Sequence, residues 1–214
     1  YQVGIMITAS HNGPTDNGIK IALPWGKIST LDARMIEELT QWPSSPSPDV
    51  IAHSLPLPLA DQAAYTKKLL SSFPSLMLSG LHIILDCAHG AAHKIAPHIF
   101  KQYGATLTVL GDAPNGENSN VEYGSTAPQK LQESVLTLKA DIGFAFDGDG
   151  DRLCVVNHTG HILSGEELLG FISSNPRFMG EKIIVGTTVT NSALDVWLNQ
   201  QEKKLIRTDV GDGH

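Results

Sequence analysis

Cysteine is nearly absent. Two residues in 214, Cys87 and Cys154, cannot build the bridged framework of a small secreted domain. Both sit in apolar runs that read as strands, so each is expected to be a small buried hydrophobe rather than a disulfide or catalytic partner. Long apolar runs are missing too: nothing approaches the ~20 residues that span a bilayer. The first residues lack the basic start and cleavage pattern of a secretory signal. The expectation is a cytoplasmic protein with no membrane partner. Positive charge is the third scarcity. Fifteen Lys and Arg stand against 22 Asp and Glu, a net charge of −7, and no basic stripe is present to release counterions, which argues against a nucleic-acid partner. Aromatic residues make up 6% and charged residues 17%, but the hydrophobic 41% is enough for one large core or two modest ones.

What is present alternates in period. Short β-like runs fall at residues 3–8, 19–23, 82–86, 106–110, 142–146, 153–157, 183–187 and 205–208. Helical patterns occupy 31–42, 61–73, 91–103, 129–139, 165–173 and 192–201. Such alternation predicts an α/β protein with mixed, largely parallel sheets and flanking helices. The stretch Pro43-Ser44-Ser45-Pro46-Ser47-Pro48, continuing to Pro56 and Pro58, cannot pack as a helix or central strand and reads as a connector. With a turn cluster at Ser164-Gly165, it divides the chain into expected units at 1–58, 59–164 and 165–214.

The densest chemistry lies in Asp147-Gly148-Asp149-Gly150-Asp151-Arg152, directly after an apolar run. Three carboxylates at alternate positions deliver hard oxygen ligands to one small volume, which suits Mg²⁺ or a similar cation. Glycine between them lets the backbone turn tightly, and Arg152 supplies a permanent planar cation for a phosphate. A calcium EF-hand wants Gly at the sixth loop position, Glu at the twelfth and a helix beyond. Counted from Asp147 those places hold Arg152 and His158, and a strand-like run follows, so that reading fails three times. Metal-assisted phosphate chemistry is the expectation.

A second cluster, Thr8-Ala9-Ser10-His11-Asn12-Gly13, follows a short apolar strand. Ser10, at the tip of a turn with small neighbours and with His11, Asn12 and Lys20 nearby, is the nucleophile candidate. On residue type alone the cluster is ordinary loop chemistry. What raises it is the pairing of a phosphorylatable hydroxyl with a metal loop.

Together, Thr8 to Asn12, Asp16-Asn17-Gly18-Ile19-Lys20 and Asp147 to Arg152 resemble the α-D-phosphohexomutase superfamily, nearest its bacterial phosphoglucosamine mutase branch. Further likeness lies in Leu85 to Ala92, Pro114 to Asn118, Gly124-Ser125-Thr126 and Val185 to Thr188, nearly the whole chain. The resemblance implies a serine carried phosphorylated at Ser10, and one Mg²⁺ held by that phosphate with Asp147, Asp149 and Asp151. It also implies passage of the phosphoryl group between O6 and O1 of a hexosamine phosphate through a bisphosphate. Lys20 matches a proton-transfer lysine, a role that burial and neighbouring cations would favour by lowering its pKa. His11 is expected to orient or shield the phosphoserine, and Arg152 to hold a phosphate or the serine loop. Phosphomannose or phosphoglucose specificity, and a non-catalytic metal-binding piece, are the alternatives.

By the same resemblance the chain is expected to be truncated at both ends, holding the tail of a first domain, a second domain and the opening of a third. Exposed sheet edges then predict self-association. The chain departs from the family pattern at Gly13, in place of proline, and at Ser164, in place of an acid. Asp209 and Gly213 stand where positive residues are usual. Gly186 to Ser192 reads as a helix cap or, less favoured, an anion site. His89 and His93 lack a metal-site pattern, and Asn118, Asn120 and Ser125 are assigned to loop hydrogen bonds.

Overall fold

A computed structural model describes residues 2–39 and 62–210. The Pro/Ser connector and Gly213 lie outside the described residues. Two compact units emerge, Tyr1–Gly160 and His161–His214; the expected division after residue 58 lies outside the described residues.

The first unit opens with an antiparallel meander: β1 (Gly4–Ile7), β2 (Ile19–Leu23) and β3 (Gly26–Lys27), followed by α1 (Thr30–Leu39). Ile7 pairs with Ile19, and Thr8 N donates to Gly18 O at 2.9 Å, so the serine motif is the loop of a hairpin. Gly18 is required there, because a Cβ would stand 2.7 Å from Thr8 O.

After α2 (Gln62–Ser72) come β4 (His82–Asp86), α3 (Ala92–Gln102), β5 (Thr106–Leu110), α4 (Gln129–Leu138), β6 (Ile142–Phe146) and β7 (Leu153–Asn157). These strands lie in the order β5-β4-β6-β7. β4 runs parallel to β5 and β6, while β6 and β7 form an antiparallel hairpin with Phe146 opposite Leu153.

Alternation along β4 splits its side chains between two cores. Ile84 joins Leu131 and Val135 of α4 with Ala145 and Val156. Ile83 and Leu85 face Ala96 and Phe100 of α3 with Phe144. The result is a helix–sheet–helix sandwich, and each of the fully buried aliphatic side chains contributes ~1.5–3 kcal/mol. Gly143 lets α4 lie close, since a Cβ would meet Leu131 and Val135 at 2.7 Å. Because β4, β5 and β6 are parallel, the segments leaving their C-terminal ends emerge along one edge, the usual place for a ligand in an α/β sheet.

The second unit contains β8 (Ile162–Leu163), α5 (Gly165–Ser173), a 3₁₀ turn (Pro176–Phe178), β9 (Ile183–Thr187), α6 (Ser192–Gln200) and β10 (Lys204–Thr208). β9 and β10 pair in parallel over a core of Leu194, Leu198 and Leu205. Ser164 is the N-cap of α5 in a complete capping box with Glu167, which gives this departure from the family pattern a structural role. Asn191 caps α6 and Thr190 Oγ1 accepts from Thr187 N at 2.8 Å, in line with the capping reading of this segment.

Candidate active site

Two hairpin loops meet in the first unit. Ser10 Oγ donates to Asp147 Oδ2 at 3.1 Å and lies 3.4 Å from Asp149 Oδ1, across 137 and 139 residues of chain. Asp147 is fully buried at the end of β6, and its other oxygen accepts the Arg152 amide at 3.1 Å. The three aspartates bring one oxygen each within 4.8 Å of one another. An all-oxygen donor set, buried at one end and exposed at the other, with a serine hydroxyl as a fourth oxygen, fits a hard divalent cation.

Lys20, on β2, reaches over this loop. Its Nζ donates to Asp149 Oδ2 at 2.6 Å and Asp151 Oδ2 at 3.1 Å. The hydrogen bond to Asp149, then that to Asp151, raises the Lys20 pKa above the ordinary lysine value against an opposing effect of burial. The neighbours are carboxylates, so the condition under which the sequence reading would lower the pKa, neighbouring cations, is not met among the described residues. Burial pushes the Asp149 carboxyl up, but the Lys20 ammonium and the Thr8 and Ser10 hydroxyls outweigh it and hold the group below the ordinary carboxylate value.

The serine itself is held in an uncommon backbone state, φ 53°. Thr8 Oγ1 accepts the Ser10 amide at 2.8 Å and donates to Asp149 Oδ2 at 3.2 Å, so Thr8 ties the serine loop to the metal loop. Arg152 is exposed. Its amide, not its guanidinium, makes the bond that orders the loop, and among the described residues the guanidinium forms no hydrogen bond with the serine loop. His11 keeps its Nδ1 buried without a partner.

Other expectations sort as follows. His89 Nδ1 accepts from Ala113 N at 3.2 Å, and His93 Nδ1 bonds Gly90 O at 2.9 Å, both local ties. Asn118 makes the anticipated loop bonds to Asn115 N and Ala113 O. Ser125 makes its bond through its amide, to Phe146 O at 2.8 Å, while its hydroxyl is buried without a partner. Asn120 is not confined to its own loop, because its Nδ2 donates to Ser10 O at 2.8 Å and Asn12 O at 2.9 Å. Asp86, fully buried at the end of β4, accepts from Ala88 N at 2.9 Å and Gly124 N at 2.8 Å. Reading by motif missed Thr8 and Asp86 as site residues. The available signal for Asp86 was an acid ending an apolar strand, the same placement as Asp147.

The C-terminal edge of the α/β sheet carries a triad of aspartates, and the β1–β2 hairpin brings a serine hydroxyl onto it. Models of the family match here: phosphoglucomutase/phosphomannomutase alpha/beta/alpha domain I over residues 1–45 and domain II over residues 63–160. The chain belongs to the α-D-phosphohexomutase superfamily. Its curated relatives include the phosphoglucosamine mutase of Zymomonas mobilis, 40% identical over 218 residues, which cover 99% of this chain and 49% of that protein. That of Cupriavidus metallidurans is 42% identical over 223 residues, covering 98% and 48%. A crystal structure of a phosphoglucomutase/phosphomannomutase family protein from Burkholderia thailandensis aligns with a TM-score of 0.73 at 25% identity, covering 98% of this chain and 45% of that one. The chain thus spans about half the length of the curated relatives it matches. Among the described residues no helix is long and apolar enough to cross a membrane.

Proposed function

We propose that this chain carries the phosphoserine and metal-binding part of a phosphohexomutase that interconverts glucosamine 6-phosphate and glucosamine 1-phosphate. The observation that supports it most is the 3.1 Å contact of Ser10 Oγ with Asp147 Oδ2, made between two motifs remote in sequence. Asp147, Asp149, Asp151 and the oxygen on Ser10 would hold Mg²⁺, which when bound supplies positive charge against the phosphoryl oxygens.

In this reading Ser10 Oγ carries the phosphoryl group. Its P–O bond breaks as a P–O bond to the free sugar hydroxyl forms, and the bisphosphate returns its other phosphoryl group to Ser10. The Thr8 hydroxyl on the Ser10 amide keeps the nucleophile aimed at the aspartate loop. Lys20 is the proton-transfer group on grounds of reach, since its Nζ touches Asp149, whose second oxygen touches Ser10 Oγ. In this reading Arg152, which is exposed, would meet a substrate phosphate, and His11 would shield the phosphoserine. The glucosamine branch is preferred over glucose or mannose because the curated relatives named above are phosphoglucosamine mutases.

Intact-mass measurement of protein incubated with Mg²⁺ and glucose 1,6-bisphosphate tests this. The expected result is the increment of one phosphoryl group, absent in Ser10→Ala, and a coupled assay with glucosamine, glucose and mannose phosphates then ranks substrates. No increment under any condition would leave the non-catalytic metal-binding reading.

A further inference from the structure

Ser10 sits at φ 53°, a left-handed conformation that costs a non-glycine residue about 1–2 kcal/mol. Something must hold it there, and next to Ser10 the serine loop itself offers two bonds: the Ser10 amide to Thr8 Oγ1 and the Asn12 amide to Ala9 O. The carbonyls of Ser10 and Asn12 are both claimed from outside, by the single carboxamide of Asn120 at 2.8 and 2.9 Å. Those two acceptors fix which way the amide points, because its oxygen would repel both. The cost is visible on its other side, where Asn120 Oδ1 is buried with no partner. An unsatisfied buried oxygen of this kind destabilises by about 1–3 kcal/mol, so the side chain's placement is not explained by satisfying its own hydrogen bonds.

Asn120 is in turn fixed by the sheet. Its amide donates to Ala88 O at 2.9 Å, and Ala88 N donates to Asp86 Oδ1 at 2.9 Å. The second oxygen of Asp86 takes Gly124 N at 2.8 Å, pinning the far side of the same loop. Asn120 is itself left-handed, φ 60°. A chain of bonds therefore runs from the end of β4 through residues 88 and 120 to the nucleophile's backbone. The metal loop is packed against its end: a Cβ on Gly148 would stand 2.7 Å from Ser10 O and 2.8 Å from Asn120 Nδ2.

We propose that Asn120 is a positioning residue for the nucleophile, its carboxamide holding the 10–12 backbone turn in the conformation that aims Ser10 Oγ at the aspartate loop, with Asp86 as its anchor. This rests on the phosphoserine reading above. It adds a member of the site that comes from the β5–α4 connection and acts on the backbone of the serine loop.

The test follows phosphoryl uptake by Ser10 in the full chain, with glucose 1,6-bisphosphate and Mg²⁺ and intact mass as the readout, for the unsubstituted protein, Asn120→Ala and the near-isosteric Asn120→Asp. Loss of aim should slow the saturating rate by on the order of a hundredfold. The bisphosphate concentration giving half the maximal rate should stay unchanged, and so should the final fraction of protein labelled. Asn120→Asp, which turns a carboxylate oxygen on two carbonyls, should be at least as slow as Asn120→Ala. Uptake by both variants at the unsubstituted rate would overturn the proposal alone. So would a reduced labelled fraction at an unchanged rate, which marks a folding residue. Absence of uptake by the unsubstituted protein would overturn the phosphoserine reading and this inference with it.

Discussion

The Lys20 ammonium sits 2.6 Å from Asp149 Oδ2 and shares its charge with Asp151, on the same carboxylates that form the candidate metal site. A lysine and a divalent cation cannot both hold those oxygens at full strength. Each partly exposed ion pair contributes ~0.2–1 kcal/mol, so removing the one lysine that makes both should favour the metal by roughly two- to thirtyfold. Lys20→Met is therefore expected to bind Mg²⁺ more tightly than the unsubstituted protein in calorimetric titration, with the gain shrinking at high salt. Equal or weaker binding would show that Lys20 does not compete for the site.

Gly148 has no room for a side chain. A Cβ there meets Ser10 O at 2.7 Å, Asn120 Nδ2 at 2.8 Å and Ser119 Oγ at 2.9 Å. Gly148→Ala should cost about 1–3 kcal/mol through overpacking and suppress labelling of Ser10 by pushing the two loops apart. Gly150 makes a control in the same loop: φ is +75° with nothing within 4 Å of its Cβ position. Gly150→Ala should cost only the strain of the backbone, about 1 kcal/mol, and leave Ser10 against Asp147. Paired denaturation curves and labelling rates separate the two.

The serine and aspartate motifs were legible because their chemistry is local: a hydroxyl at a turn, three acids at alternate positions. The strands and helices were legible because each runs long enough to show its period. The two-residue strands Gly26–Lys27 and Ile162–Leu163 are too short to have one. What the chain could not disclose is register and reach. That Lys20 faces Asp149, 129 residues away, follows from two hairpins meeting, and the direction of its pKa shift depends wholly on that meeting. Asn120 looked like any loop asparagine because its partners lie 108 and 110 residues back.

Asp86 gives a pH signature away from the metal loop. Burial raises its pKa above the ordinary 3.8, and the amides of Gly124 and Ala88 offset this only in part. The folded state therefore holds this proton more tightly than the unfolded chain does. The associated stability is fully present below 3.8 and is lost as pH rises through the folded value. Asp86→Asn removes that dependence and sets an amide N–H against one of two backbone donors, at a cost of about 1–3 kcal/mol. Urea unfolding from pH 4 upward should show a variant destabilised throughout, its deficit largest at the acid end. A deficit that grows toward neutral pH would contradict the raised pKa.

The two cysteines give the last prediction, through reactivity. Cys87, fully buried at the end of β4, has its thiol pushed to about 12 by burial first and then by Asp86 and Asp112. Cys154, buried on β7, is raised by burial and by Asp86. Alkylation requires the thiolate and access to it, and the folded protein offers neither at neutral pH. Iodoacetamide at pH 8 should therefore leave the folded protein unmodified and add two groups once it is unfolded in urea. Any slow labelling under native conditions should follow the rate or population of opening, not the concentration of thiolate in the folded state. Labelling of Cys87 and Cys154 should also be retarded together by Mg²⁺, since a ligand bound only by the folded state lowers the population that opens. Rapid native modification of either cysteine would mean that this sheet is not closed over its core as described.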